Sequence, residues 1–275
     1  MAGVSIVAKD KAFSNVIGRR PLNLEQRVFD VFNDRRAFRG AIYAPWDIST
    51  LFQDEAGAVP VTADGDPVRL MLDVSGNGAH FVAPSDAARP IYKAGLQPYL
   101  QANGTSSDMR MVPAGLGMTS FKNQVSVSMG FLADSIATFR HLLYIRSSSN
   151  TPRITLGTGA DAAQLRTFVR RKWDDADTQL NLPKPTGAHL WKVFSDFAGG
   201  AADLSRDVTA ASDAASLPLA QISENPASLG VYLFSFAGTG FANCRFYGGV
   251  ILASEQDITP YQADIDAYLT EKMGI

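Results

Sequence analysis

Cysteine is nearly absent. Cys244 stands alone in 275 residues, which excludes an internal disulfide framework and any cysteine-based zinc site and leaves a small side chain expected to be buried. Long hydrophobic runs are missing too. The opening MAGVSIVAKDKAF holds no apolar stretch of signal-peptide length, and nothing later approaches the ~18 apolar residues of a membrane span. The expectation is a chain made in a cytoplasm, with no membrane insertion. Charge of one sign is not in excess either: 25 Lys and Arg face 27 Asp and Glu, for a formal net charge of −2. No global field is present to attract nucleic acid. The one basic cluster, Arg170-Arg171-Lys172, runs directly into Trp173-Asp174-Asp175 and reads as a charge-balanced loop. No repeat with a period of about 20–50 residues is visible, which argues against solenoids and propellers.

What is present is a β-rich texture. From about residue 41 onward, short apolar runs are separated by Gly, Pro, Asn and Asp, the pattern of an all-β sandwich or barrel. Gln124–Phe131 is the cleanest strand: Val125, Val127, Met129 and Phe131 share one face, and Ser126, Ser128 and Gly130 the other, which is expected to be thin or solvated. Further strands are expected at His141–Arg146, Arg153–Leu156, Gln164–Arg170, His189–Phe197, Leu229–Phe236 and Cys244–Leu252, about a dozen in all.

The two ends differ from this body. Residues 1 to about 21 lack a hydrophobic period and end at Gly18-Arg19-Arg20-Pro21, reading as an arm. In 22–39, Leu24, Val28, Val31 and Phe32 have helical spacing, with Asn23 and Gln26 placed as a capping pair; a strand over Val28–Phe32 competes with that helix. At the C-terminus, Tyr261, Ile265, Tyr268 and Leu269 predict a helix over 259–273, with Thr259 as N-cap, Pro260 at the first position, Gln262 completing a capping box and Gly274 as the stop. That helix is expected to dock on the sandwich edge.

Several motifs invite chemistry and fail on a specific residue. DVSGNGAH (73–80) fits the first positions of an EF-hand calcium loop, but the closing glutamate is replaced by Pro84. As a phosphate cradle it lacks the Lys-Ser/Thr and the helix that would follow. A tight connection is the reading that remains, with Ser75-Gly76 and Asn77-Gly78 supplying residues able to take positive φ and the Asp73 carboxylate placed to accept turn amides; a ligand or ion rim is the alternative. GTGADA (157–162) mimics a dinucleotide fingerprint without a βαβ unit around it and reads as a hairpin turn. No Gly-x-Ser-x-Gly elbow accompanies His80, His141 or His189. The sequence thus offers no catalytic set, no metal site and no cofactor site. In the cluster Trp173-Asp174-Asp175-Ala176-Asp177, strand alternation lets only Asp175 and Asp177 act together. With Trp173 beside them to stack on a sugar face, these three form the candidate ligand site; solvated loop acids are the plainer alternative.

YAPWDISTLFQD (43–54), PVTADGDPV (60–68), LDVSGNGAH (72–80) and Arg89-Pro90, followed by Gly95–Gly104 and the closing GGVIL (248–252), together resemble the laminin-G-like, concanavalin A-type jelly-roll proteins of tailed bacteriophages and prophages. The likeness covers about 41–275. It implies an all-β, two-sheet antiparallel jelly-roll sandwich closed by one helix; residues 1–40, outside the likeness, are expected to form an N-terminal arm. It also implies a virion structural protein (tail fibre, spike or head decoration) synthesised in the host bacterial cytoplasm. Residues 1–40 would attach it to other virion proteins, as a homo-oligomer, with host-surface glycans met at the loop rim. A glycan-degrading enzyme on the same fold and a ligand-free decoration protein are the alternatives to this non-enzymatic reading.

Overall fold

The computed structural model describes residues 22–33, 38–111, 123–134, 139–147, 153–158, 164–170, 176–183, 186–207, 211–217 and 229–274. The elements begin with α1 (Leu24–Asn33), β1 (Phe38–Tyr43), β2 (Leu51–Phe52), β3 (Leu70–Met71), β4 (Phe81–Val82), β5 (Ile91–Lys93), β6 (Tyr99–Asn103) and β7 (Met109–Met111). They continue with β8 (Gln124–Ala133), β9 (His141–Ser147), β10 (Arg153–Thr158), β11 (Gln164–Arg170), β12 (Thr178–Pro183) and β13 (His189–Asp196). The last are β14 (Ala201–Arg206), β15 (Ala211–Ser216), β16 (Leu229–Leu233), β17 (Asn243–Ser254) and α2 (Thr259–Met273). The short strands β2 to β5 and β7 escape a sequence reading because two or three residues between turn formers carry too little alternation to register.

The strands form the expected two-sheet antiparallel sandwich. The first sheet runs β15-β14-β13-β8-β17-β6-β5, with β1 also paired to β17; the second runs β12-β11-β10-β9-β16-β7-β4-β3-β2. Alternate side chains from both meet in one core that includes Val125, Val127, Met129 and Phe131 of β8, Leu143 and Ile145 of β9, and Trp191. Cys244 lies in this core, fully buried, where desolvation pushes its thiol well above the usual range and leaves it inert. β10 pairs antiparallel with both β9 and β11, which is incompatible with a dinucleotide-binding βαβ unit at Gly157; residues 159–162 of GTGADA lie outside the described residues.

DVSGNGAH is the turn expected, and it does more than turn. Gly76 and Gly78 adopt φ of 83° and 76°. The Asp73 carboxylate accepts from Ser75 N (2.8 Å), Ser75 Oγ (2.9 Å) and Ala79 N (3.1 Å), and also from Ile42 N of β1 (2.9 Å). Asn77 Nδ2 donates to Gly40 O (3.0 Å), and Tyr43 Oη donates to Ala79 O (2.7 Å). The loop thereby satisfies the free edge of β1, whose other edge pairs with β17. Among the described residues no cluster of His, Cys, Asp and Glu is arranged to hold a metal ion.

The helices correct three expectations. α2 lies across the middle of the first sheet, over β8, β17 and β13, and not at its edge. The small face of β8 is therefore covered: Ser126 Oγ donates to Gln262 Oε1 (2.8 Å), Ser128 Oγ to Asp266 Oδ1 (3.2 Å), and a Cβ on Gly130 would fall 2.3 Å from Met273 Sδ. Thr259 is not the N-cap. Ile258 occupies that position, Asp257 Oδ1 takes Thr259 N (2.9 Å), and Gln262 is drawn away to the sheet, where its oxygen finds a hydroxyl it would otherwise leave buried. Gly274 ends the helix at φ 65° as expected.

Over 22–39 the helix prevails against the strand. Asn23 Oδ1 accepts Gln26 N (2.8 Å) while Gln26 Oε1 accepts Asn23 N (3.1 Å), the reciprocal cap read from the spacing. α1 packs on α2, with Arg27 forked onto Asp264 (3.2 Å from both Nε and Nη2) and Phe29 edge-on to Tyr268. Of the segment 1–40 expected as an arm, 24–33 and 38–40 are thus built into the body, because their apolar faces complete the second cluster under α2. Residues 1–21 lie outside the described residues.

Candidate functional site

In the second sheet, residues alternate between the core and the outward face. Leu143, Ile145, Ile154, Leu156, Leu165 and Val169 point inward. Their alternates, pairing outward across the strands, are Tyr144, Arg146, Arg153, Thr155, Arg166, Phe168 and Arg170. On this face rings and guanidiniums interleave, and Tyr144 and Thr155 are buried among their neighbours.

The register lays these side chains in a row crossing the whole sheet: Phe52, Leu70, Val82, Arg110, Tyr232, Tyr144, Thr155, Phe168 and Gln179 are successive cross-strand partners from β2 to β12. Around the middle of the row stand His141 and Phe236. β16 ends at Leu233, and Phe234 takes a left-handed φ of 73°, which breaks the alternation: Phe234 enters the core and Phe236 returns to the outward face. Phe236 packs on Tyr144 (centroids 4.5 Å) and on His141 (5.5 Å). The Arg146 guanidinium sits over both Phe236 (5.0 Å) and Tyr232 (5.7 Å), and Arg110 lies 6.0 Å from the same Tyr232 ring.

The charges on this face are not balanced. Asp108, buried beneath, holds Arg110 (2.8 Å) and takes Ser235 Oγ (2.7 Å). Asp177 bridges Arg153 and Arg170, accepting Arg170 Nε at 2.9 Å and Arg153 Nε at 3.0 Å. Arg166 is held by the neutral Asn181 Oδ1 (2.9 Å). Among the described residues no carboxylate pairs with Arg146 or Arg166, so five arginines face two carboxylates. His141 adds no charge: burial first, then the neighbouring Arg153 and Arg140, lower its pKa to about 4. The unfolded chain, with an ordinary imidazole near 6.5, takes up that proton first. His141 therefore costs nothing above pH ~6.5, and stability is lost as pH falls from there to about 4.

Of the three residues singled out in the sequence, Trp173 and Asp175 lie outside the described residues. Asp177 is described, and its carboxylate is engaged by two arginines. The residues the sequence reading passed over are Tyr144, Arg146, Tyr232 and Phe236. The signal was present in the alternating pair Tyr144 and Arg146 and in the alternating trio Arg166, Phe168 and Arg170. Alternation within a strand identifies the strand, while the chemistry of the outer face depends on the register between strands.

No protein-family model matches the sequence, and neither does any curated protein. Among solved structures the chain is similar to one of botulinum neurotoxin type C from work on its dependence on two ganglioside molecules. The TM-score is 0.55 at 12% identity, over 88% of this chain and 52% of that one. It is also similar to the binding domain of botulinum neurotoxin DC in complex with rat synaptotagmin II (TM-score 0.53, 11% identity, 82% and 51% covered). A third is the receptor-binding domain of botulinum neurotoxin type G (0.51, 11%, 74% and 48%). The chain spans about half the length of these structures, and at such identity the likeness is one of fold.

Proposed function

We propose that this protein is a non-enzymatic binding module whose second sheet engages acidic glycans of a cell surface through its outward face. The observation that carries the reading is Arg146: a guanidinium placed over two aromatic rings that meet edge to face, with no carboxylate paired to it among the described residues. Aromatic faces take the C–H side of a pyranose, and a planar guanidinium takes a sugar carboxylate through two parallel hydrogen bonds. The structural neighbours add support, since one concerns gangliosides and another, of the neurotoxin DC binding domain, is a complex with SialylT. Trp173 and Asp175, which lie in the chain between Arg170 and Asp177, belong to the same proposal as its rim. Each contact is weak, and several copies of the module would raise the avidity.

The test is a glycan array followed by titration calorimetry on the full chain. Sialylated glycans should bind and their asialo counterparts should not. Arg146→Ala should weaken binding about tenfold or more, the loss of one charge-assisted hydrogen-bonded pair. Arg27→Ala, on the helical side, should leave it unchanged. Because His141 stays neutral, the affinity should be flat from pH 7 to pH 5. Equal affinity for sialylated and asialo forms, or an unaltered Arg146→Ala, would remove the proposal.

The proposal keeps the particle context that the PVTADGDPV and DVSGNGAH blocks imply, a virion protein of a tailed phage attached through its N-terminal residues. Deleting residues 1–21 should leave a folded body, since the described contacts of α1 begin at Leu22, that no longer enters particles. Normal incorporation of the truncated chain, measured on purified particles, would count against the attachment role.

A further inference from the structure

Two strands away from Tyr232 along the same cross-strand row, the outward face dips into a cleft of about 480 Å³ lined by Phe52, Leu70, Leu72, Val82, His80 and the loop Glu55–Gly57. Leu70 and Leu72, like His80 and Val82, are two apart on an extended chain, so their side chains share this face and form an apolar floor. The volume is within the range of sites for small ligands.

The cleft is pre-formed. Its loop wall is closed by Asp54, whose carboxylate accepts Ala58 N (3.0 Å) and Val59 N (2.7 Å), and by Gln53 N donating to Val59 O (2.8 Å). A Cβ on Gly57, which adopts φ 71°, would come within 3.5 Å of Leu70 Cδ2 and 3.9 Å of the Phe52 ring. Two polar groups are set at its border. His80 Nδ1 accepts Asp73 N (3.0 Å), which in the neutral ring places the proton on Nε2 and makes that atom a donor. Glu55, 67% exposed, is oriented by Arg69 (3.2 Å) and keeps oxygen lone pairs free to accept hydroxyls.

The geometry points to a second subsite for a neutral sugar bearing an apolar acyl group, an N-acetylhexosamine. Its methyl and C–H face would rest on Leu70, Leu72, Val82 and Phe52, a hydroxyl would donate to Glu55, and the acyl oxygen would accept from His80. A free acidic sugar is disfavoured there by the Glu55 charge. From Val82 to Tyr232 is two strand spacings, about 10 Å, so the cleft and the arginine patch lie close enough to serve neighbouring sugars of one chain. In that respect the inference rests on the acidic-glycan reading.

The experiment is methyl-labelled NMR of the full chain, titrated separately with the methyl glycoside of N-acetylglucosamine and with the methyl glycoside of N-acetylneuraminic acid. The neutral probe should shift the methyl resonances of Leu70, Leu72 and Val82. That response should vanish in Leu72→Trp, which fills the cleft, and should weaken about tenfold in Glu55→Gln, a surface change that spares the core. Arg146→Ala should leave it intact. Absence of these shifts in the wild type, or their persistence in Leu72→Trp with Glu55→Gln also unaltered, would overturn the subsite. The acidic probe reads the arginine patch independently: if only the neutral probe binds, the cleft stands and the acidic-glycan reading falls.

Discussion

Replacing Asp73 with alanine is expected to lower the free energy of unfolding by about 3–5 kcal/mol, because two buried backbone donors lose their acceptor at a cost of roughly 1–3 kcal/mol each. Those donors are the amides of Ile42 and Ala79, residues with no exposed surface. Water cannot replace the carboxylate there without opening the seam between β1 and the loop. Ser75, half-buried, recovers solvent and adds little. Asp73→Asn keeps one accepting oxygen and is expected to fall between the two. Urea denaturation monitored by tryptophan fluorescence measures this, and the midpoint should move with little change in slope. A loss in Asp73→Ala below about 1 kcal/mol, the net worth of a single ordinary hydrogen bond, would show that the loop does not anchor β1.

The second large effect lies under α2. Lys192 Nζ meets Asp266 Oδ2 at 2.6 Å, and Asp266 is 2% exposed. Lys192→Met leaves a carboxylate buried with Ser128 Oγ as its remaining side-chain donor among the described residues, and a broken buried pair costs about 3–5 kcal/mol. Asp266→Leu should cost less, since the Lys192 side chain is 16% exposed and its flexible stem can carry the ammonium toward water. The double variant Lys192→Met/Asp266→Leu removes both charges and should recover most of the loss, as buried ion pairs replaced by apolar residues often do. A double-mutant cycle reads the coupling directly; simple additivity of the two single losses would contradict the pairing. Asp203 offers a second readout. Burial raises its pKa, while Ser205 and the Lys192 charge draw it down, so in Lys192→Met it should titrate higher still.

These two sites show where sequence reasoning stops. DVSGNGAH is legible as a turn because glycine spacing and an Asp two residues before a Ser act within one loop. The amide of Ile42 that shares the Asp73 carboxylate is 31 residues away, and no local pattern announces it. β8 likewise reveals its apolar face by strict alternation, whereas Ser126, Ser128 and Gly130 look like a face meant for water. They are small because a helix beginning more than a hundred residues later lies on them. In Thr259-Pro260-Tyr261-Gln262 the capping box is a sound local expectation that lost to a tertiary one, since Gln262 gains more from a buried serine than from an exposed amide.

The sequence by itself determined the β-rich body, the C-terminal helix, the capping pair Asn23 and Gln26 and the stop at Gly274. All of these depend on periods and turn chemistry that operate over a few residues. Only the tertiary structure decided which outward positions stand together. The row from Phe52 to Gln179 draws on eight strand pairings, each with its own register, and a slip of one residue in any of them would turn that strand's outward side chains into the core. Register is set by packing between layers that are distant in the chain. A face that alternates rings with arginines exists only once the sheet has closed.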